Sequence, residues 1–265
     1  MDQGNRENGK EKDLENLLYL KNLINFSLLS SAKPKGKMFN LVTRTWNPVT
    51  GCEHHCVYCW ARELTLKKLR YVKPKRYKNG FKPSFHKYEL RRKFGGNEFI
   101  FVSDMGDLFG EFIPDEWIFE VITHIKKFKT SLFLFLTKNP KRYFSFLNEF
   151  PENVILGATI ETDLDKNYRE ISKAPLPSTR LKALKELDWP LKFISIEPVL
   201  EFSETFAEKI AEISPLVVYI GYDNYNHKLP EPPLHKTLAL IKKLEEKGIT
   251  TFKKTLRRSW NEKTK

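Results

Sequence analysis

From residue 38 onward, the 265-residue sequence alternates short β-rich runs with helical stretches. Such alternation predicts βα units and a parallel sheet, because each crossover helix returns the chain to the same edge of the sheet. The runs are apolar without strict alternation, which favours a sheet covered on both faces or closed on itself. Seven runs carry this pattern: 38–46, 98–103, 132–137, 153–160, 191–196, 215–221 and 249–254.

Residues with helical periodicity fill most of the connections between these runs. We therefore expect an α/β fold, a partial or complete parallel (β/α) barrel, with a doubly wound sheet as the alternative. No GxGxxG sequence follows the first strand, which weakens a dinucleotide-binding version of that alternative. One further short strand near Phe81 leaves the strand count open. The predicted helical stretches are 59–70, 115–128, 140–150, 178–187 and 234–248.

The expected organisation has three parts. Residues 1–37 form a basic N-terminal extension that is disordered or short-helical, residues 38–255 form the barrel, and residues 256–265 form a basic C-terminal tail. The sequence has neither a run of about 18 apolar residues nor the apolar core of a signal peptide. We expect no membrane partner and a cytoplasmic location.

The formal net charge is +13, and a basic surface attracts phosphate groups. The basic segment (residues 67–93) concentrates this charge and contains one acid, Glu89. Cations interleaved with aromatic rings suit a nucleic-acid strand, and the alternative is a solvated connection whose rings pack into the barrel. A helix-to-strand connection belongs at the end opposite a barrel's site, so the segment must fold back to reach a substrate. Its rings are Tyr71, Tyr77, Phe81, Phe85 and Tyr88.

All three cysteines lie within eight residues, in the sequence GCEHHCVYCWA (51–61). A disulfide framework needs pairs spread along the chain, so the clustered thiols indicate a metal. Thiolates of Cys52, Cys56 and Cys59 can hold three irons of a cubane and leave the fourth open to a small ligand. The alternative is a zinc site completed by His54 or His55, in a non-catalytic nucleic-acid-binding protein.

Polar residues follow the predicted strands at their carboxyl ends. In parallel βα folds these ends meet at one edge, where ligands bind. The polar sequences therefore predict a site at that edge, next to the cysteines. They are WNPVTGC after the first strand, then SDMGD (103–107), TKNP (137–140), TIETD (159–163), SIEP (195–198) and GYDN (221–224).

The C-x3-C-x2-C spacing, with Tyr58 before the third cysteine, follows the first strand and precedes the first helix. This arrangement resembles the radical SAM superfamily, and the resemblance extends from about residue 38 to the end. It implies a barrel of the radical SAM type with a [4Fe–4S] cluster and S-adenosylmethionine (SAM) as cofactors. It also implies an external one-electron donor, reductive cleavage of SAM, and hydrogen abstraction from a substrate, with nucleic acid as our candidate.

Two groups within the superfamily resemble the chain most. One is the spore photoproduct lyase-like proteins, and the other is a radical-SAM-like family named after an uncharacterised phage protein. The segments shared with the latter span most of the predicted barrel. They are TWNPVTGC (45–52), YCWAR (58–62), FVSDMGDLFG (101–110), LTKNP (136–140) and SIEPVL (195–200).

The resemblance to the lyase group implies roles for several strand-end residues. Ser103 and Asp104, with Asp107 as an alternative, would hold the SAM amino group. Lys138 would pair with the SAM carboxylate, and Thr159 would meet the ribose. No catalytic residue is assigned. Further cofactor-pocket candidates are Tyr58, Glu161, Ser195 and Glu197.

The chain departs from the lyase pattern at one point. Photoproduct lyases use an extra cysteine as a hydrogen donor, and this sequence has no fourth cysteine. The expectation of thymine-dimer repair by that route is weakened. The same absence argues against an auxiliary cysteine-ligated cluster and against chemistry through a methylated cysteine.

Overall fold

The computed structural model describes residues 38–96 and 98–262 of the chain. Seven parallel strands follow one another in chain order across one sheet, which curls into an open, partial (β/α) barrel. The predicted α/β barrel is confirmed, and the doubly wound alternative is wrong because the strand order never reverses. The barrel strands are β1 (Arg44–Trp46), β4 (Phe99–Val102), β5 (Leu132–Thr137), β6 (Val154–Thr159), β7 (Lys192–Ile196), β8 (Val217–Ile220) and β9 (Thr250–Lys253), and a separate antiparallel pair is formed by β2 (Val49–Thr50) and β3 (Ser84–Phe85).

Helices connect most consecutive barrel strands, and all five predicted helical stretches form helices. A π-helical turn, Thr65–Leu69, joins the first two α-helices, and Lys87–Arg91 and Pro140–Glu149 are 3-10 helices. Sequence periodicity missed α4 and α6, because a helix of one or two turns shows too few repeats of its apolar face. The α-helices are α1 (Trp60–Leu64), α2 (Arg70–Val72), α3 (Asp115–Ile125), α4 (Tyr168–Ile171), α5 (Pro177–Glu186), α6 (Phe206–Ala211) and α7 (Leu234–Glu246).

Both faces of the barrel sheet are buried. On β5, Phe133 and Phe135 pack with the residues of the outer helices, whereas Leu134 belongs to a separate cluster on the inner face. Successive strand positions therefore face two apolar environments, since side chains alternate between the faces of a strand. This explains why the barrel strands are continuous apolar runs in the sequence.

Residues 38–42 fill the inner face of the barrel. The ring of Phe39 lies 5.5 Å from that of Phe101, 5.0 Å from that of Phe193 and 4.7 Å from that of Tyr219. The sequence predicts a strand over 38–46, and the strand begins only at Arg44. The preceding residues leave the sheet because their apolar side chains pack inside it.

The basic segment folds back to the carboxyl edge of the sheet. Strand β3 lies in this segment and pairs with β2, which follows β1 directly. The backbone N–H of Cys52 donates to the carbonyl oxygen of Phe81 at 3.1 Å. The segment therefore reaches the end of the barrel where the sequence predicts the site. The expected short strand near Phe81 forms at Ser84–Phe85.

The structure describes most of the predicted C-terminal tail and none of the predicted N-terminal extension. The predicted N-terminal extension, 1–37, falls outside them, so its disorder or short helix stays a prediction. Residues 256–262 of the predicted tail pack on the barrel, where Arg257 pairs with the buried Glu231 at 2.6 Å. Within residues 38–96 and 98–262, no helix has both the length and the apolar character needed to cross a membrane.

We predict that Gly51→Ala destabilises the fold far more than Gly248→Ala. Both glycines have positive φ, at +89° and +78°, so each alanine costs about 1–2 kcal/mol in backbone strain. At Gly51 the new Cβ would also lie 2.3 Å from the carbonyl oxygen of Lys82, whereas at Gly248 nothing lies within 4 Å. This overlap should cost about 1–3 kcal/mol more. Urea unfolding measures both, and equal losses would contradict the close packing of the basic segment on this loop.

Candidate active site

One cavity of about 420 Å³ opens at the carboxyl edge of the barrel strands, and all three cysteines line it. Its size suits a small-molecule ligand. Every predicted site residue except Ser103 and Glu161 lines this cavity. The predicted residues that line it are Cys52, Cys56, Tyr58, Cys59, Asp104, Asp107, Lys138, Thr159, Ser195 and Glu197.

The first part of the cysteine loop (residues 51–59) is anchored to the end of β4. The N–H of Gly51 donates to the carbonyl oxygen of Met105 at 2.9 Å, and Gly51 and Gly106 form a parallel bridge. A Cβ on Gly106 would lie 2.7 Å from the carbonyl oxygen of Gly51. Glycine at position 106 is therefore what lets the two backbones approach this closely.

The second part of the cysteine loop rests on the support segment (residues 171–174), which begins at the last residue of α4. The N–H of Val57 donates to the carbonyl oxygen of Ile171 at 3.0 Å, and the N–H of Lys173 donates to that of His54 at 2.7 Å. The hydroxyl of Ser172 lies 3.1 Å from the sulfur of Cys56. Main-chain bonds thus hold the loop on both sides of Cys56.

Burial raises the pKa of two of the thiols. The pKa of Cys52 is well above its usual value because of burial and the nearby charge of Asp107. The pKa of Cys59 rises to about 11, chiefly through burial. Both thiols are therefore protonated at neutral pH, and a bound metal must displace their protons.

His54 forms a hydrogen bond with a buried carboxylate. Its Nε2 lies 2.8 Å from Asp107 Oδ2, and both side chains are buried. Asp107 also accepts from the hydroxyl of Thr137 at 2.6 Å and from the N–H of Lys138 at 2.9 Å. Although burial disfavours its charge, these bonds hold the pKa of Asp107 below its usual value. Asp107 thus links the cysteine loop to the end of β5.

The arrangement of the thiols bears on which metal fits. In residues 38–96 and 98–262, no group of three or more His, Cys, Asp or Glu side chains is arranged to hold one metal ion. A tetrahedral zinc site needs its sulfurs about 3.8 Å apart, because Zn–S bonds are about 2.3 Å long. A cubane binds each thiolate through a different iron, which allows wider separation. Three cysteines that line one cavity are a donor set that suits such a cluster, which binds three thiolates through three of its irons.

A buried carboxylate, Glu161, lies beside the cavity and joins four side chains. It forms ion pairs with Lys138 and, at 2.6 Å, with Arg180. It accepts a hydrogen bond from the hydroxyl of Tyr58 and another, at 3.0 Å, from that of Tyr168. Since Tyr58 belongs to the cysteine loop, this network ties the loop to β5, α4 and α5.

The network carries an unbalanced positive charge. Burial disfavours the charged form of Glu161, but Arg180 and Lys138 overcome this and lower its pKa to about 2. Burial likewise opposes the charge of Lys138, and the attraction of Glu161 raises its pKa above the usual value. Burial raises the pKa of Tyr168 to about 12, so this phenol is neutral. Two cations therefore share one carboxylate, and Lys138 presents the excess charge to the cavity.

The end of β4 supplies Ser103 and Asp104. Ser103 does not line the cavity. Its backbone is left-handed, with φ of +59°, and its buried hydroxyl has no partner among the described atoms. Asp104 lines the cavity and accepts from the side-chain amide of Asn47 at 2.5 Å. Roles for both residues in binding an amino group stay predictions.

Thr159, Ser195 and Glu197 also line the cavity. Sequence reasoning missed Lys254, which donates to Glu197 at 2.5 Å and also lines the cavity. The sequence signal that could have identified Lys254 is its position directly after the last barrel strand. Burial raises the pKa of Glu197 although Lys254 opposes the shift. Sequence reasoning also missed Arg180, because a helical arginine without a motif gives no sign that it will be buried.

The aromatic rings of the basic segment divide into two sets. Tyr71 and Tyr88 are exposed, whereas Tyr77 and Phe81 are buried and Phe85 packs against the core. Three of the five rings are thus packed into the fold. This agrees with the alternative that the rings of the basic segment pack into the barrel instead of binding a nucleic-acid strand. Phe81 lines the cavity. Many cations of the segment are exposed: Lys67, Lys68, Arg70, Lys73, Lys75, Lys78, Lys82, Lys87, Arg91, Arg92 and Lys93.

Solved structures share this architecture. A variant of spore photoproduct lyase with dinucleoside spore photoproduct superposes with a TM-score of 0.54 and 9% identity, over 78% of this chain and 75% of that chain. Another variant gives 0.51 and 10% identity, over 79% and 76%. A radical SAM methyltransferase from Sphaerobacter thermophilus gives 0.48 and 14% identity, over 80% and 66%. At such identities the likeness to the two lyase structures shows the fold alone.

Sequence comparison gives a family. No curated protein matches the chain significantly. The profile described as "Protein of unknown function (DUF5131)" matches residues 38–213, about two thirds of the chain. The chain belongs to the DUF5131 family, and its fold is a partial (β/α) barrel of the radical SAM type, like that of spore photoproduct lyase.

Proposed function

We propose that this protein is a radical SAM enzyme in which Cys52, Cys56 and Cys59 hold a [4Fe–4S] cluster. The observation that carries the proposal is the convergence of these three cysteines on one cavity that also contains the ammonium of Lys138. When bound and reduced by an external donor, the cluster would supply the electron that cleaves SAM to a 5′-deoxyadenosyl radical.

The residues of the chain bind and orient the cofactor in this proposal. Lys138 attracts the SAM carboxylate, because its network has one positive charge more than Glu161 can neutralise. A negatively charged ligand beside Lys138 neutralises this remaining positive charge. The site is buried, where an unpaired charge is costly. Asp104 receives the amino group of SAM, and Thr159 meets the ribose.

The cluster leaves no free thiol in the chain. The sequence has three cysteines, and all three are used as ligands. A reaction that needs a cysteine hydrogen donor is therefore not proposed. The reaction is hydrogen abstraction from a substrate that enters through the open cavity.

We propose nucleic acid as the substrate class. The net charge of +13 and the exposed cations of the basic segment favour a polyanion. The segment reaches the carboxyl edge of the barrel, and Phe81 brings it to the cavity itself. Support also comes from the lyase neighbour, which has a dinucleoside spore photoproduct bound.

Anaerobic reconstitution should give a brown protein with about four irons and four sulfides per chain. Cys56→Ala should lose this content, because it removes one of three ligands. Iron and sulfide assays measure it, with the chemical yield of 5′-deoxyadenosine from SAM and dithionite as a second readout. A colourless protein that retains one zinc ion would contradict the proposal and favour the non-catalytic alternative.

Lys138→Met should weaken SAM binding about 10- to 100-fold, which corresponds to the loss of a hydrogen bond to a charged group. Glu161 keeps Arg180 as its partner in this variant, so the network stays paired. Equilibrium dialysis with labelled SAM on the reconstituted protein measures the affinity. The matched control is Lys141→Met, an exposed lysine three residues later. Unchanged affinity in the Lys138 variant, with its cluster intact, would remove this residue from the SAM site.

The double substitution Lys78→Glu/Lys82→Glu should weaken binding of single-stranded DNA at least tenfold. It should also reduce the slope of log affinity against log salt by about 1.4, for two lost phosphate contacts. Fluorescence anisotropy with a labelled oligonucleotide measures both. The control, Lys129→Glu/Lys247→Glu, makes the same charge change on exposed lysines that precede β5 and β9, at the opposite end of the barrel. Equal losses in both variants would mean that net charge, and not the basic segment, binds the strand.

A further inference from the structure

The three cysteine sulfurs differ in the groups that can donate a hydrogen bond to them. Cys52 accepts from the backbone N–H of His54 at 3.4 Å, and Cys59 accepts from the backbone N–H of Arg62 at 3.4 Å. Cys56 instead faces a side chain, the hydroxyl of Ser172, at 3.1 Å. This donor comes from a residue 116 positions later in the sequence and can be removed by substitution.

The surroundings of Ser172 determine where its proton points. The N–H of Ala174 donates to the Ser172 oxygen at 3.1 Å, so that oxygen already accepts one bond. The other acceptor within reach is the carbonyl oxygen of His54, at 3.3 Å. That carbonyl accepts a shorter bond, 2.7 Å, from the N–H of Lys173. A metal-bound thiolate of Cys56 carries no proton and can only accept, so the hydroxyl proton of Ser172 turns toward the sulfur.

Hydrogen bonds and burial hold the support segment, and with it the Ser172 hydroxyl, in place. Ser172 is buried, with 2% of its surface exposed. The guanidinium of Arg169 donates to the carbonyl oxygens of Lys173 and Ala174, at 3.1 and 2.8 Å. The N–H of Val57 bonds to the residue before Ser172. Backbone bonds thus hold the segment and the cysteine loop in one register, with the hydroxyl and the sulfur facing each other.

We infer that Ser172 tunes and positions the cluster through a hydrogen bond to the Cys56 thiolate. This inference rests on the proposed function, because it requires the cluster. One-electron reduction adds negative charge that is partly carried by the ligand sulfurs, and a donor to sulfur stabilises that charge. Ser172 therefore makes the cluster easier to reduce. It is a positioning residue, since it acts through Cys56 and does not touch the substrate.

The test is a redox titration of the reconstituted protein, followed by the electron paramagnetic resonance signal of the reduced cluster. Ser172→Ala should shift the reduction equilibrium toward the oxidised form by up to roughly tenfold, or about 59 mV for one electron. The control, Ser131→Ala, removes another buried serine hydroxyl, which lies directly before β5 and donates to the carbonyl oxygen of Gly95. It should leave the potential unchanged.

A second pair of variants separates the hydrogen bond from packing. Ser172 has an extended backbone, with φ of −157°, which accepts β-branched residues. Ser172→Thr keeps the hydroxyl, and Ser172→Val replaces it by a methyl group of similar size. Ser172→Thr should retain the wild-type reduction potential of the cluster. Ser172→Val should lower that potential by as much as Ser172→Ala does. Equal potentials for the threonine and valine variants would overturn the inference while the cluster, and with it the proposed function, still stands. Absence of a cluster in the wild-type protein would overturn both.

Discussion

The ion pairs of Glu161 join the parts of the candidate site to one another. A carboxylate without solvent exposure stays charged only if cations face it, and Lys138 and Arg180 do so from the end of β5 and from α5. The same carboxylate binds the hydroxyl of Tyr58 and thereby reaches the cysteine loop. The position of the loop, the charge of the lysine and the wall of the cavity therefore depend on one buried group. The same carboxylate also pairs with the ammonium of Lys138, which lines the cavity.

The barrel supplies the rigid frame for this arrangement. Parallel strands present their carboxyl ends at one edge, and backbone bonds attach the cysteine loop to two different parts of that edge. One attachment uses the close approach of Gly51 and Gly106, and the other uses the support segment at the end of α4. Residues 38–42 close the inner face below the cavity, so the ligand space lies at the top of a packed core. Such a frame holds the three cysteine side chains around one cavity.

Much of this could be predicted from the sequence, because the signals are local. Apolar runs of strand length alternate with helical periodicity, and these two patterns predict the parallel barrel. The cysteine spacing and the polar strand ends predict where the cavity lies and most of its lining. The rest depends on contacts between distant residues. Arg180 and Ser172 have ordinary local contexts, and only the fold brings them to Glu161 and Cys56. Residues 38–42 resemble a strand in sequence, and packing inside the barrel overrides that preference.

In the proposed function, three cysteines of this chain hold a cubane whose fourth iron is open to SAM. Mössbauer spectroscopy of protein reconstituted with iron-57 tests it most directly, with spectra recorded before and after SAM is added. One iron in four should change its isomer shift on addition of SAM, because that iron alone gains nitrogen and oxygen ligands. Four irons that keep identical parameters in both spectra would contradict it, since the fourth position would then be closed to the ligand.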